Sequence, residues 1–360
     1  GYEVHLVERD PELGGMARRI QTTLEGLDVQ AYLKDLVRKV YQHPLVHISH
    51  GATITDVSGY VGNFVTTVES ENQVKRINHG AAILATGAAE HRPTEYLYGE
   101  DPRVLTQLEL EERIAGGEES LADTESLVMI QCVGCREENS NYCARVCCSQ
   151  AIKNALTLKK IKPGVEIYIL FRDMRTYGFA EDFYFEAAER DVKFVRWDGS
   201  EKPRVEPAVE AGREVLRVSV PDPILGQRLA VDGDLVVLSA AVIPSTGSVD
   251  IARKFKVAMS PDGFFQEAHV KLRPVDFAAD GVFLCGAAHY PKHLSETINS
   301  AYGAAGRAAS LLAQDRVTAS GSVCHVVGAV CIACGACVTA CTYGAVQMRK
   351  TEEGTIAEVN

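Results

Sequence analysis

The chain has 360 residues, 46% of them hydrophobic, with 37 Lys and Arg against 48 Asp and Glu for a formal charge of −11. That length and composition imply two or three domains with ordinary cores, and the negative balance argues against nucleic-acid binding. No apolar run reaches the length of a bilayer span and no signal segment stands at the start. The eleven cysteines, grouped in metal-like spacings, point to a reducing cytoplasm rather than a disulfide framework. No internal repeat or low-complexity tract occurs. Both ends read as cut, the chain opening on a strand with nothing before it and closing inside an unfinished cysteine-rich unit.

Residues 2–8 alternate short apolar groups and end in Glu8. In a Rossmann unit the second strand ends in an acidic residue that hydrogen-bonds a ribose hydroxyl, about twenty residues after a glycine-rich turn. Here that turn would precede Gly1. Pro11-Glu-Leu-Gly-Gly-Met16 follows, where Gly14 and Gly15 let backbone lie close to a dinucleotide; a plain glycine turn is the other reading. Periodicity predicts a helix over 29–43, with Leu33, Leu36, Val37 and Val40 on one face. Short strands are expected at 46–49, 53–57 and 63–68, separated by glycines at 51, 59 and 62. An apolar strand then runs into Ala85-Thr86-Gly87, the place where a two-dinucleotide flavoprotein brings its chain back beside the flavin. Glu95 and Tyr96 either line that flavin or sit on a surface loop. A helix is predicted over 106–115, and 118–124 is an acidic linker.

The next domain is expected over 125–245. Strands at 126–131, 165–171, 192–197 and 234–238 alternate with helices near 145–160 and 180–190, which argues for a second parallel sheet. Its first strand-to-helix turn lacks Gly-x-Gly-x-x-Gly, so a nicotinamide site is not expected there. It carries instead Cys132-Val-Gly-Cys-Arg-Glu-Glu-Asn-Ser-Asn-Tyr-Cys-Ala-Arg-Val-Cys-Cys148, five of the eleven cysteines. Plain buried thiols do not explain vicinal Cys147 and Cys148 beside polar Asn139, Ser140, Asn141 and Arg145. A dithiol centre at Cys132 and Cys135 is one reading. Another is an iron–sulfur cube held by Cys132, Cys143, Cys147 and Cys148, with Cys135 as the spare. Zinc suits the same four thiolates. Lys153, a turn and a half further on, is either a solvated helix lysine or a cation facing a flavin, where it would stabilise the reduced anion.

Residues 241–245 return the chain to the first domain, where Asp280-Gly-Val-Phe-Leu-Cys-Gly-Ala287 repeats the strand-then-glycine theme. A helix over 294–313 follows, with Thr297 and Asn299 at its N-terminal end. That end could face the flavin pyrimidine, where negative charge accumulates on reduction. After a small-residue linker at 318–322 comes Cys331-Ile-Ala-Cys-Gly-Ala-Cys-Val-Thr-Ala-Cys341, the C-x2-C-x2-C-x3-C run of bacterial ferredoxins. In that pattern Cys331, Cys334 and Cys337 hold one cube, and Cys341 serves another with partners beyond Asn360. Thr342 replaces the usual proline. Cys285 and Cys324 have no assigned task. The domains are thus expected at 1–124, 125–245, 246–317 and 318–360.

Glu8 with Leu13-Gly-Gly-Met16, Gly59-Tyr-Val-Gly-Asn-Phe64, Ala85-Thr-Gly87, Tyr142-Cys-Ala-Arg-Val-Cys-Cys148 with Ala151-Ile-Lys-Asn154, and the closing cysteine run together resemble the A-type subunit of heterodisulfide reductase and its bacterial relatives. The resemblance covers nearly the whole chain. It implies an α/β, two-domain thioredoxin-reductase-like FAD/NAD(P)-binding fold of Rossmann type, with a C-terminal bacterial ferredoxin-type domain. It implies FAD and [4Fe–4S] clusters passing electrons among ferredoxin, hydrogenase or formate dehydrogenase modules and the disulfide-reducing subunits, with bifurcation in several members. The protein would be cytoplasmic, free or docked to a membrane complex. By this resemblance Cys132, Cys143, Cys147 and Cys148 ligate a cube near the FAD and Lys153 lies by the flavin ring; Glu95 stands beside Lys153 as a catalytic candidate from its own place after the Ala-Thr-Gly strand. Glu8, Gly14, Gly15, Met16, Ala85, Thr86, Gly87, Gly286, Ala287, Thr297 and Ile298 contact the cofactor.

Two departures mark the shorter bacterial type: no inserted ferredoxin domain follows Phe64, and no cysteine-bearing segment follows the Gly-Gly turn. Cys135 stands where relatives often have serine. The alternatives are a stand-alone NAD(P)H-dependent disulfide oxidoreductase using Cys132 and Cys135, and a non-catalytic electron carrier.

Overall fold

The computed structural model describes every residue except 72, 118–120, 198, 200, 223–225, 318–323, 342, 352–353 and 360. The linker expected at 318–322 and the departure at Thr342 lie outside the described residues, as does part of the linker at 118–124. Two compact units form, one from residues 1–15, 38–88 and 244–360, the other from 16–37 and 89–243.

The second unit is built on five parallel strands. Their order across the sheet is Val192–Arg196, Glu166–Phe171, Ser126–Val133, Leu235–Ala240 and Val104–Thr106. The edge strand Val104–Thr106 draws the sheet back ahead of residue 125, where the sequence places the start of this domain. Ser126–Val133 is apolar along nearly its whole length because both faces are covered. Leu127 and Met129 point into a core with Ile152, Ala155 and Leu156 of the helix Cys147–Ile161. Val128 and Ile130 point the other way, onto Leu216, Val218 and Val220. Those three belong to an antiparallel sheet of Arg204–Glu210, Arg213–Asp222 and Gln227–Gly233, which the sequence reading did not anticipate. Its outer strand Arg204–Glu210 is mostly exposed, so no apolar run announces it. Gln107–Ala115 completes the helical layer, with Thr106 and Glu109 forming a reciprocal capping box at its start.

In the other unit Val4–Val7 pairs in parallel with Val46–Ser49, and Ala82–Leu84 with Val282–Leu284. An antiparallel sheet of Thr53–Tyr60, Asn63–Ser70 and Gln73–His79 joins them, and Phe64, Leu84, Phe255, Phe265, Phe277, Val282 and Leu284 share one core. The strand expected at 53–57 continues to Tyr60. Gly59 lies inside it rather than between strands, opposite Phe64. Its φ is +90°, and a Cβ there would stand 2.1 Å from the Asn63 carbonyl oxygen, so only glycine fits. Leu294–Leu312 is the helix expected over 294–313, kept thin where it packs by buried Ala304 and Ala308.

Candidate functional site: a buried thiol pocket and a glycine-lined strand pair

Ser126–Val133 is the strand at which the five-stranded sheet reverses direction. The next strand in sequence, Glu166–Phe171, lies on one side of it and Leu235–Ala240 on the other. Crevices at such reversals, outside the carboxyl ends of the strands, are where open α/β sheets bind ligands. Here the crevice is filled by sulfur. Cys132, Cys135, Cys147 and Cys148 are 8%, 1%, 1% and 2% exposed and pack together with Ala144 and Ala241, with Met174 and Ile243 against them.

The loop bearing Cys132 and Cys135 is locally irregular: Cys132, Gly134, Arg136 and Arg145 all have φ between +59° and +76°. Left-handed backbone at non-glycine residues persists only where the surroundings hold it. Cys147 and Cys148 open the helix Cys147–Ile161, where the positive end of the helix dipole favours thiolate.

The thiols form two hydrogen-bonded pairs, Cys132 with Cys135 and Cys147 with Cys148. In the first pair the bond from Cys135 brings Cys132 down to about 6, with the Arg136 and Arg172 charges assisting, while Cys135 is pushed up. In the second, the mutual bond lowers Cys148 and raises Cys147. Arg136 Nη1 lies 3.9 Å from Cys132 Sγ, and its Nη2 donates to Asp173 Oδ2 at 2.5 Å. Cys143, at the rim, accepts the Arg145 N–H at 3.3 Å. Among the described residues no three His, Cys, Asp or Glu side chains stand in metal-holding geometry. The donor set nonetheless suits a cube of iron: several soft ligands on a short irregular segment, shielded from water and ringed by arginines that offset thiolate charge. Cys135 sits deeper in this pocket than Cys143, which sequence reasoning about a spare thiol did not foresee.

Lys153 lies on the same helix, buried, and does not face solvent. Its Nζ is 2.5 Å from Glu111 Oε1, with side chains 8% and 4% exposed. Burial pushes the lysine below its ordinary value. Glu111 Oε1 also accepts the Gln21 N–H at 2.6 Å, and its Oε2 is buried with no partner. Glu111 was not singled out from the sequence. A signal existed: it falls four residues after Gln107 and three after Leu108, on the buried face of its helix. Glu95 stands elsewhere, 4.0 Å from Lys202, and is not paired with Lys153.

In the first unit the two glycine motifs meet. The Cys285 N–H donates to the Leu84 carbonyl at 3.2 Å, so Ala85-Thr86-Gly87 and Gly286-Ala287 leave adjacent parallel strands side by side. Gly286 packs on Thr297, whose Cγ2 would lie 3.3 Å from a Cβ there, and its N–H donates to Ser300 Oγ at 2.9 Å. Gly15 and Gly87 have φ of +49° and +70° with nothing within 4 Å of a Cβ position. Such open ground in front of left-handed glycines is what a closely approaching dinucleotide needs. Ala85 and Thr86 are exposed and Ile298 half-buried, while Met16, also half-buried, belongs to the other compact unit. Glu8 Oε1 accepts the Asp10 N–H at 2.9 Å, which holds its carboxylate at the end of the Val4–Val7 strand. Beside this pair, His289 Nε2 and Glu267 Oε2 are 2.7 Å apart and Lys292 Nζ is 3.1 Å from His289 Nδ1. The sequence reading passed over all three.

The closing cysteines surround a left-handed turn at Ala333 and the short helix Ala336–Ala340, followed by the hairpin Val346–Thr351 and Gly354–Val359. Cys331 Sγ accepts the Ala357 N–H at 3.4 Å and Cys341 is met by the backbone of Ala345, each bond lowering the thiol. Cys334 and Cys337 are exposed.

No sequence-family profile matches the chain. It is 29% identical to the second A-type iron-sulfur subunit of the CoB–CoM heterodisulfide reductase of Methanopyrus kandleri, over 97% of this chain and 66% of that protein. It is 28% identical to the corresponding iron-sulfur subunit of Methanocaldococcus jannaschii, over 100% and 68%. It is 35% identical to the A-type subunit of the H2:CoB–CoM heterodisulfide,ferredoxin reductase of Methanothermobacter marburgensis, over 79% and 44%. The Methanopyrus match runs over 441 positions, more than this chain's 360, so that relative carries inserted sequence within the matched span. The fold is that of thioredoxin reductase. The Lactococcus lactis enzyme superposes with a TM-score of 0.57 at 14% identity, over 87% of this chain and 99% of that one. The T. acidophilum enzyme gives 0.54 at 15%, over 87% and 90%.

Proposed function

We propose, from its similarity to A-type subunits of heterodisulfide reductase, that the chain is an FAD- and [4Fe–4S]-containing electron-transfer component of a heterodisulfide-reductase-like oxidoreductase complex. One observation carries the reading: buried cysteines occupy the crevice at the sheet reversal, where a dehydrogenase of this fold would place a dinucleotide. A flavin takes electrons in pairs and releases them singly, and iron–sulfur clusters carry one each.

The residues divide the work. Glu8, Gly14, Gly15, Met16, Ala85, Thr86, Gly87, Gly286, Ala287, Thr297 and Ile298 hold the FAD. Cys132, Cys143, Cys147 and Cys148 hold one cube, and the Cys331–Cys341 run serves ferredoxin-type clusters. Lys153 keeps a proton or a positive charge at a dry position, tuned by Glu111. Arg136 and Arg172 offset the charge of the ligating thiolates. The partners are ferredoxin and the other subunits of the complex, with hydrogenase or formate dehydrogenase modules as donors and electron bifurcation as the finer mode of action. Among the described residues no helix is long and apolar enough to cross a membrane.

The test is anaerobic purification of the full-length protein with iron, sulfide and flavin counted per chain. One FAD with more than one cube's worth of iron is expected. In Cys147→Ser/Cys148→Ser the count should drop by one cube and the matching EPR signal should vanish. Zinc in place of iron overturns the reading.

A second reading is favoured by the hydrogen-bonded Cys132–Cys135 pair, whose spacing and lowered Cys132 suit a redox-active dithiol. It requires rapid reduction of the flavin by NAD(P)H and loss of that reduction in Cys135→Ser. The first reading expects neither.

A further inference from the structure

Five thiols stand on the segment that forms the pocket, and a cube takes four. Three of the five are placed by regular structure. Cys132 is the last residue but one of the strand Ser126–Val133, and Cys147 and Cys148 open the helix Cys147–Ile161. Their backbone is committed to a sheet ladder and a helix, so these sulfurs have settled places. Cys135 and Cys143 lie on the irregular stretch between, and they are brought together by it.

Residues 136–142 form a tight hairpin. Glu137 and Ser140 exchange backbone hydrogen bonds at 3.3 and 3.1 Å, and the Arg136 N–H donates to the Tyr142 carbonyl at 3.0 Å. Cys135 and Cys143 are the next residues outward on the two legs, so the hairpin delivers them as a pair at its base. That base is pinned from both sides. The Arg136 carbonyl accepts from Arg172 Nη1 at 2.8 Å, and Tyr142 Oη donates to the Val242 carbonyl at 2.9 Å. The Ala144 N–H bonds the Cys135 sulfur, which ties that thiol to the residue after Cys143, and Cys143 is near enough for its charge to act on Cys135. The two differ in depth: Cys135 is buried, whereas Cys143 is half-buried at the rim.

Resting on the reading that the pocket holds a cube, we propose that Cys135 and Cys143 are alternative ligands of one and the same iron, exchanging places while Cys132, Cys147 and Cys148 stay bound. The exchange asks for side-chain rotation at the base of a pinned hairpin and leaves strand and helix where they are. It balances without an oxidant or reductant: one iron–sulfur bond breaks, one forms, and a proton passes from the incoming thiol to the outgoing sulfur. The sulfur off the iron keeps that proton because two thiolates side by side, shielded from water, repel each other. With Cys143 on the iron, the Cys135 thiol stays inside, hydrogen-bonded to Cys132. With Cys135 on the iron, the free thiol stands at the rim. Hydrogen bonds to the ligating sulfurs and solvent exposure both set cluster potentials, so the two arrangements hold an electron with different strength.

The experiment uses the full-length protein, loaded anaerobically with flavin and clusters. Iron and sulfide are counted per chain and EPR of the reduced protein is recorded for Cys135→Ala, Cys143→Ala and the double variant. Each single variant should keep the native count, because the other thiol serves. The double variant should lose one cube and its EPR signal. A second measurement needs no substitution at the pocket: native protein is treated anaerobically with iodoacetamide and the labelled peptides are identified by mass spectrometry. Cys143 should be labelled without loss of iron, since Cys135 holds the iron while Cys143 is modified. In Cys135→Ala the Cys143 thiolate is always bound, and its label should be lost.

Loss of a cube in either single variant overturns the proposal, as does survival of the full count in the double variant. Cys143 left unlabelled in the native protein, or labelled equally in Cys135→Ala, overturns it too. Failure of the underlying reading is distinguishable. Cys147→Ser/Cys148→Ser would then keep all its iron and EPR signal, whereas a wrong assignment of the exchanging pair still leaves that variant short of one cube.

Discussion

Lys153 and Glu111 meet at 2.5 Å with almost no exposure to water. Two charges so placed have lost their hydration and depend on each other. Glu111→Gln should therefore cost about 3–5 kcal/mol, the penalty for stranding one charge of a buried pair, read as a shift of the urea midpoint. Replacing both by methionine should recover most of that loss, because the pair then leaves no unmatched charge behind. Lys153 stood out in the sequence for its place after the vicinal cysteines and for the resemblance of the stretch that carries it. Its true counter-charge was hidden because Gln107–Ala115 and Cys147–Ile161 come together through the sheet, not through sequence spacing. At the same scale Cys135 was read as a spare, yet it is nearly as inaccessible as any thiol of the chain. Its depth follows from the left-handed turn at Cys132 and Gly134, which no residue pattern announces.

At the scale of elements, most helices and strands were legible within one or two residues, because their apolar periods match the faces they bury. Glu166–Phe171, Cys147–Ile161 and Leu294–Leu312 are examples. Two of the misses share a cause. Arg204–Glu210 and Gln73–His79 are half-exposed antiparallel strands whose partners, not their own apolarity, keep them extended. Two substitutions test the local devices. Thr106→Ala removes the side chain that accepts the Glu109 N–H at 3.3 Å and should cost about 1 kcal/mol by chemical denaturation. Gly59→Ala meets both a left-handed φ and the Asn63 carbonyl. It should cost more than about 1 kcal/mol, the strain alone being of that order, and hydrogen exchange should quicken first in the hairpin of Thr53–Tyr60 and Asn63–Ser70.

At the scale of the molecule, the two compact units differ in how they answer acid. His5, His79 and His289 all belong to the unit of residues 1–15, 38–88 and 244–360, and burial is the first cause holding each below the usual 6.5. The unfolded chain therefore takes up these protons at a higher pH than the folded one. The stability they contribute is full above the unfolded value and drains away as pH falls toward the folded values. Between about pH 7 and pH 5.5 this unit should lose hydrogen-exchange protection faster than the unit of 16–37 and 89–243, which contains none of the three. Equal losses in both would count against the burial of these imidazoles.

What the sequence by itself determined was chemistry with a local cause. It showed which strand ends in thiols instead of glycines, which turns are rich in glycine, and which closing run has ferredoxin spacing. Each of these needs only near neighbours in the chain. The tertiary structure alone decided what meets what. Residues 16–37 and 89–124 join the sheet unit of the vicinal cysteines, Glu111 rather than Glu95 faces Lys153, and the two glycine motifs lie side by side. Such pairings are set by burial and charge compensation between segments tens to hundreds of residues apart, and no local pattern encodes a distant partner.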